Sequence, residues 1–415
     1  MIPKAINRFL ELSGIFLGVS VCLLLTSGCN IFDVTNEGEI MEEDLNAPVA
    51  IGAIVAGAGS DLSVAYGDLA NVPLFSGMLC DEIQHVGSYA SFKDVYYENR
   101  VIQIDQVFMN NFYSDCAVAR WSADDGARRI KEVLGDEANS SPDVAEILVY
   151  SGFAHLALGD VFGSVPIDGG PLISQQEVYQ RAANKFTEAI TVGQAAGAGE
   201  WVEAARAGRA RAYYSMDEFA LAVADAQQVP ADYRFDARFA EGSDDEKNWN
   251  YWANITRLEV SVSPEIVGLY EETNDSRIKS TFAGIGGDGV HDCYVQYKYT
   301  GYSSPIRLVG WQEMELIQAE AKLNAGDLAG AVAHINTVRA AALNDSTGVP
   351  MEARTVSTNA DEVRQWLIHE RRVEFFYEGR RLQDCRHFDQ LDLIKNDPPF
   401  IPISSWEADN NPNID

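Results

Sequence analysis

Glu370, Glu374 and Glu378 fall at i, i+4 and i+8, a spacing that brings three carboxylates to one face of a helix. Neighbouring carboxylates do acid–base chemistry when their environments push their pKa values apart. Here Arg371, Arg372, Arg380, Arg381 and Arg386 crowd the same stretch, and guanidinium forks hold carboxylates ionised. The segment therefore reads as a structural ion-pair network rather than a catalytic dyad. His369-Glu370-Arg371-Arg372 lacks the second histidine of a zinc-protease helix. Gly284 to Gly289 has no clear strand before it or helix after it, so it reads as a turn and not a dinucleotide loop. His85, His291 and His334 have no evident nucleophile partner, and no GxSxG elbow, CxxC pair or His-rich spacing occurs. The expectation is a chain that is no enzyme and carries no cofactor and no metal, with nothing in its favour for calcium.

Aromatic loops are the better candidates for chemistry. Cys80 to Arg100 carries Tyr89, Phe92, Tyr96 and Tyr97 among polar residues. Asn248 to Pro305 alternates irregularly and carries Trp249, Tyr251, Trp252, Tyr297, Tyr299 and Tyr302. In an extended chain Trp249 and Tyr251 share one face, as do Tyr297 and Tyr299. Flat rings at a surface stack on sugar faces or bury peptide side chains while their polar tips stay wet. The alternative for each ring is that it caps the helical core. Tyr89, Phe92, Tyr96, Trp249, Tyr251, Trp252, Tyr297, Tyr299 and Tyr302 are the candidate ligand contacts.

Helical patterning must position these loops. Asn46 to Ala70 reads as a first long helix, broken near Gly57-Ala58-Gly59, and Tyr113 to Leu134 as a second. An internal repeat follows. Ala319, Gly326, Leu328, Ala331, Ile335 and Val338 fall at tetratricopeptide-like positions, with Asn324 to Leu328 as the inter-helix turn. Ala210, Tyr213, Phe219, Ala222, Ala226 and Val229 keep the same register. Gly152, His155 and Gly159 match a leading helix, and Ala182, Phe186 and Ala189 the following one, across an insertion from Val161 to about Glu177. Small residues where antiparallel helices cross let the backbones approach, and a large residue between them fills the groove. A further helix is expected from about Asp361 to Phe376 or beyond, its first turn loaded with Asp361 and Glu362. The fold class is mainly α, with helical pairs within about 46–230 and 306–390. Loop-rich segments fall at about 80–105 and 240–305, with little β structure, and long loops on rigid frames often carry function.

The first residues set the compartment. Lys4 and Arg8 precede an apolar stretch from Ile15 to Leu25, then small residues and Cys29. This is a secretory signal over residues 1–28 with a lipoprotein box, although Thr26 stands where Leu is more usual. Cys29 is the expected lipidation site; the apolar stretch is short of the roughly 20 residues of a membrane span. Asp and Glu number 62 against 31 Lys and Arg, giving a net charge of −31. A field of that sign argues against DNA and anionic lipid as partners, because both need basic patches. Dispersed carboxylates suit a soluble surface in salty surroundings, where ions screen their repulsion. Cys80, Cys116, Cys293 and Cys385 remain in the mature chain; four cysteines allow three pairings, and free or partly paired structural thiols are the preferred reading, since a chain this long buries a core without staples.

With these residues on the page, the chain resembles the SusD/RagB family of outer-membrane nutrient-binding lipoproteins. Leu367 to Arg386 looks like that family's ERRxEFxxEGxRxxDLxR helix, through Glu370, Arg371, Arg372, Glu374, Phe375, Glu378, Gly379, Arg381, Asp384 and Arg386. Cys385 stands where Leu is usual, and Leu382 where an aromatic is frequent. Ile401-Pro402-Ile403, Glu407 and Asn411-Pro412-Asn413 are similar to its PIPxxE…NPN ending. Arg307-Leu308 with Ala319-Glu320-Ala321 resembles its RLxE…AEA helix, Asp160 to Pro166 its YGDVP turn, and Asn274 to Arg277 its DPR turn with Ser for Pro. The resemblance implies one mainly helical domain over 29–415, with four tetratricopeptide-like pairs and a loop-rich half holding the ligand site. It implies a lipid-anchored, surface-exposed, non-catalytic protein of the outer membrane. Such a protein traps oligosaccharides or peptides over a SusC-like TonB-dependent transporter. The family's ligand aromatics vary in position and are not transferred by motif. The rival expectations are a lipid-anchored repeat scaffold for protein partners and, further off, a surface hydrolase.

Overall fold

Proline and side-chain caps start many of the helices. The computed structural model describes residues 44–97, 102 and 107–414, without the side chains of 94, 96 and 97. The signal segment and Cys29 lie outside the described residues.

Helix α1 (Ile51–Gly67) leads to α2 (Val72–Leu79), where Asn71 Oδ1 accepts from Leu74 N–H at 2.8 Å and Pro73 occupies the first turn. Strand β1 (Ile83–His85) and α3 (Ala90–Tyr97) precede the long α4 (Val107–Leu134). In α5 (Pro142–Val161) Ser141 caps Val144 N–H and Pro142 opens the helix. The hairpin β2 (Ser164–Pro166) and β3 (Leu172–Ser174) is the expected insertion. Then come α6 (Gln175–Ala196), α7 (Gly199–Ser215) and α8 (Phe219–Ala226). Next are β4 (Arg234–Ala237), β5 (Val260–Val262), α9 (Pro264–Thr273), β6 (Ser280–Ile285), β7 (Asp292–Gln296) and β8 (Ile306–Gly310). The chain closes with α10 (Trp311–Asn324), α11 (Leu328–Ala341), α12 (Ala360–Glu374), α13 (Arg381–His387) and α14 (Ser405–Asn410). Among the described residues the strands form four two-stranded antiparallel ribbons, β1–β5, β2–β3, β4–β8 and β6–β7. The protein is mainly α, as expected.

The repeat reading fits the packing. Helices α5 and α6, α7 and α8, and α10 and α11 pack as pairs, and α4 packs on α5. A Cβ added to Gly152 would meet the Phe186 ring at 2.5 Å, and one added to Gly208 would meet the same ring at 2.3 Å. Phe186 thus fills a groove that exists only because both neighbouring helices carry glycine there. Helix α5 is long and apolar enough to cross a membrane, yet 89% of its apolar window is buried, as suits a central helix apolar on every side.

Several boundaries differ from expectation. Helix α1 runs unbroken through Gly57 and Gly59, since a helix with packed partners tolerates the cost of isolated glycines; at Gly59 a Cβ would lie 3.1 Å from the Tyr150 ring. Helix α4 begins at Val107, not Tyr113. The expected loop at 80–105 contains β1 and α3, and the one at 240–305 contains α9 and three strands. Helix α12 ends at Glu374, because Tyr377 and Gly379 take positive φ of 57° and 82° before α13 restarts the chain. Glu378 is therefore not on the α12 face. Two apolar clusters fill the interior, and α12 joins both, with Val373 in one and Val363, Leu367 and Ile368 in the other. Asn46–Asp415 forms one compact unit.

Candidate ligand-binding surface

Three buried asparagines set the local fold of the aromatic segment. In Asn248-Trp249-Asn250-Tyr251-Trp252-Ala253-Asn254 the amides point inward while the rings stay half-exposed. Asn248 donates its N–H to Tyr302 O at 2.8 Å and its Nδ2 to Ser304 O at 2.8 Å. Asn250 Nδ2 donates to Tyr66 O at 3.2 Å, and Asn254 Nδ2 to Val260 O at 2.8 Å. Trp249–Tyr251 is one helical turn that continues as a π-helical turn over Trp252–Thr256. The expectation of an extended Trp249/Tyr251 face is corrected accordingly. Both rings face Tyr302 instead, at centroid distances of 6.0 and 5.1 Å.

These contacts form a continuous ribbon. Trp249 meets Trp252 at 5.5 Å and Trp252 meets Tyr89 at 6.1 Å, so the order is Tyr251, Tyr302, Trp249, Trp252, Tyr89. Cations sit at both ends: the Arg257 guanidinium lies 5.6 Å from the Tyr89 ring, and Lys247 Nζ 5.3 Å from Tyr302. Glu259 holds the Tyr89 end in place, accepting from Tyr89 N–H at 2.6 Å and lying 3.1 Å from His85 Nε2. Burial pushes its carboxyl up, but the bonds from His85 and from the Tyr89 and Ser88 amides outweigh that and leave it below the usual range. A row of incompletely buried rings in mostly edge-to-face contact, flanked by donors, presents apolar faces and hydrogen bonds together.

Of the nine candidate rings, five converge on this ribbon. Phe92 is wholly buried beneath Tyr89, packed on Phe75 and Phe108, and belongs to the core. Tyr299 is also core, its hydroxyl donating to Tyr377 O at 2.6 Å. Tyr297 is exposed but stands on the far side of the chain turn, under Lys279 Nζ at 5.0 Å. Tyr297 and Tyr299 thus do not share a face. The Tyr96 side chain lies outside the described residues. Sequence reasoning missed Asn248, Asn250, Asn254 and Glu259; the alternation of Asn with aromatic residues from 248 to 254 was the available signal.

The carboxylate trio is a buried network, but its partners come from elsewhere. Arg277 Nη1 donates to Glu370 Oε1 at 2.6 Å and to Glu374 Oε2 at 2.9 Å, while Asp275 grips the same guanidinium at 2.6 Å. Arg339 completes Glu370 at 2.9 Å. Arg307 bridges Glu374 at 2.8 Å and Glu378 at 2.9 Å, and Lys298 Nζ reaches Glu378 at 2.8 Å. The arginines next in sequence serve other groups: Arg371 pairs with Asp384, Arg372 and Arg381 with Asp81, Arg380 with Glu313, and Arg386 with the Asp160 carbonyl. Burial pushes the Glu374 carboxyl up, yet Arg307 and Arg277 overcome it and bring it down to about 2. A carboxylate held ionised between two cations neither donates nor accepts a proton near neutral pH. Gly379 has no room for a side chain: a Cβ there would meet Val72 Cγ1 at 2.6 Å. Cys80, Cys116, Cys293 and Cys385 are all free and buried.

Residues 230–413 match the family model of the SusD family. This stretch spans the ribbon's Trp249–Tyr302 portion and the whole carboxylate network. This C-terminal stretch, somewhat under half of the chain, is similar to the SusD family. No curated protein matches it. A SusD superfamily protein from Bacteroides vulgatus ATCC 8482 is 17% identical, with a TM-score of 0.66 over 88% of this chain and 98% of that one. A laminarin-binding SusD-like protein is 15% identical, with a TM-score of 0.66 over 89% and 98%. A SusD-like protein from Bacteroides fragilis NCTC 9343 is 13% identical, with a TM-score of 0.67 over 91% and 98%. At such identities these structures speak for the SusD-like fold alone, which extends to the part of the chain before residue 230.

Proposed function

We propose that this protein is a member of the SusD family that captures oligosaccharides at the cell surface and hands them to a SusC-like TonB-dependent transporter of the outer membrane. The observation that carries the reading is the ribbon Tyr251–Tyr302–Trp249–Trp252–Tyr89, a row of incompletely buried rings in edge-to-face and tilted contact, which leaves ring faces on which sugars can stack. Laminarin binding by a SusD-like protein of the same fold supports a saccharide over a peptide. Capture by stacking and hydrogen bonds needs no cofactor, and Glu374, at the centre of the carboxylate trio, is held ionised.

Lipid on Cys29 anchors the protein in the outer membrane and keeps it close to the transporter, raising its effective concentration there. One lipid anchor gives limited hold, so contact with the transporter matters as well. Two experiments test the reading. Affinity electrophoresis against soluble glucans, xylans and mannans should retard the protein in at least one gel, and migration unaltered in all of them would count against saccharide capture. Mild detergent extraction should recover it with a large barrel protein, and recovery solely as a monomer contradicts the transporter partnership.

A further inference from the structure

A second cleft lies along α4, away from the ribbon's own residues. It has a volume of about 510 Å³, within the range of small-molecule sites, and Trp121, Trp406, Arg120, Asn110, Tyr113 and Asp168 are among its lining residues. Trp121 is 51% exposed and Trp406 69%, an unusual state for the largest apolar side chain. Between elements the cleft is firmly built. Arg120, 5% exposed, donates from Nη1 to Asp168 Oδ1 at 2.6 Å, with Asp168 held at a positive φ of 52°. Asn411 Nδ2 donates to Gly170 O at 3.0 Å and Asn413 Nδ2 to Gly169 O at 2.7 Å, which ties the β2–β3 loop to the chain end that carries Trp406.

Two buried polar atoms of this wall have no hydrogen-bond partner among the described residues: Arg120 Nε, a donor, and Asn110 Oδ1, an acceptor. Both atoms are closed to solvent, so the polar groups open to a ligand are the exposed carboxylate of Asp168, which Arg120 holds in place, and the N–H groups of the exposed indoles. A sugar hydroxyl is both donor and acceptor, and its ring faces suit exposed indoles. The exposed residues of α4, Val107, Asn111, Ser114, Val118 and Trp121, form a stripe. At 1.5 Å per residue it runs roughly 20 Å, from beside Phe108, which touches Tyr89, to this cleft.

We propose that the Trp121/Trp406 cleft is a second saccharide site, which stacks a sugar of an extended glycan on its indoles and hydrogen-bonds it through the Asp168 carboxylate and the indole N–H groups. The proposal rests on the saccharide reading of the ribbon and narrows it to chains long enough to reach both places. Oxidation of tryptophans by N-bromosuccinimide, mapped by mass spectrometry on the mature chain, separates the two. The probes are soluble β-glucan, α-glucan, xylan and mannan, each as polymer and as disaccharide. The expected result is that one polymer shields Trp121 and Trp406 together with Trp249 and Trp252, while its disaccharide leaves Trp121 and Trp406 open. Trp406→Ala, exposed and therefore expected to melt as the parent does, then binds that polymer about tenfold more weakly. Shielding of Trp249 and Trp252 alone overturns this proposal and leaves the ribbon reading intact. Shielding of Trp121 and Trp406 alone overturns the ribbon reading and, with it, the claim that one glycan spans both places. Shielding of this pair solely by a co-purified barrel protein makes the cleft a protein contact and overturns the saccharide proposal. No shielding by any probe overturns both.

Discussion

Glu374 and Glu82 show how burial and charge set opposite behaviours in two carboxylates. Glu374, held between Arg307 and Arg277 and brought down to about 2, adds stability that is present above the ordinary carboxylate range and lost as pH falls through about 2. Glu374→Gln leaves buried guanidinium groups short of a counter-charge, at a cost of about 3–5 kcal/mol. Denaturant melts at pH 7 and pH 2.5 check this, and the gap between variant and parent should shrink at the lower pH. Glu82 is pushed up to about 8 by burial, against the pull of Arg381. Its folded form holds a proton that the unfolded form releases at about 4.5, so its contribution is complete at low pH and is lost as pH rises through about 8. Glu82→Gln keeps an acceptor for the Tyr377 N–H, 3.2 Å away in the parent, and removes the titration. The variant's melting temperature should therefore fall less between pH 6 and pH 9 than the parent's does.

At the scale of elements, the turn between α12 and α13 is the most constrained piece. Gly379→Ala meets both a positive φ and the Val72 side chain, with Pro73 N at 3.3 Å behind it. Left-handed backbone costs an alanine about 1–2 kcal/mol, and overpacking adds about 1–3. A urea midpoint lower by that sum, with unchanged slope, is the expected outcome. The repeat pairs were readable because their signal is local: Gly152, Phe186 and Gly208 meet across adjacent helices, where spacing in sequence maps onto spacing in space. The trio at 370, 374 and 378 was readable as an ion-pair network, whereas its partners were not. Arg277, Arg307, Arg339 and Lys298 arrive from turns, strands and another helix far along the chain, where no periodicity links them. The aromatic site was half readable for the same reason. Ring type and loop location pointed to Trp249 and Tyr302, but their meeting depends on the Asn248 bond to the Tyr302 carbonyl. Phe92 and Tyr299 carry the same chemistry as their neighbours, and only packing consigns them to the core.

For the whole molecule, the net charge of −31 makes salt a structural variable. Screening at molar ionic strength shortens the Debye length to about 3 Å, which removes most repulsion between exposed carboxylates. The melting temperature should rise from low to molar sodium chloride, and a flat or falling response contradicts the reading of the surface as a salt-adapted one. The same surface repels anionic polymers, which agrees with the neutral glycans proposed as ligands of the ribbon. The fold supports that role by fixing one edge of the ribbon to β5 and β7 through Asn254 and the other to the Tyr89 loop through Glu259. Ring positions are then preset before a ligand arrives, which lowers the ordering cost of binding. Titration calorimetry with the best-retarded glycan, comparing the parent with Trp252→Ala, tests the central claim most directly. The account predicts an affinity at least about tenfold weaker at a temperature where both proteins are fully folded; equal affinity in the two proteins would contradict it.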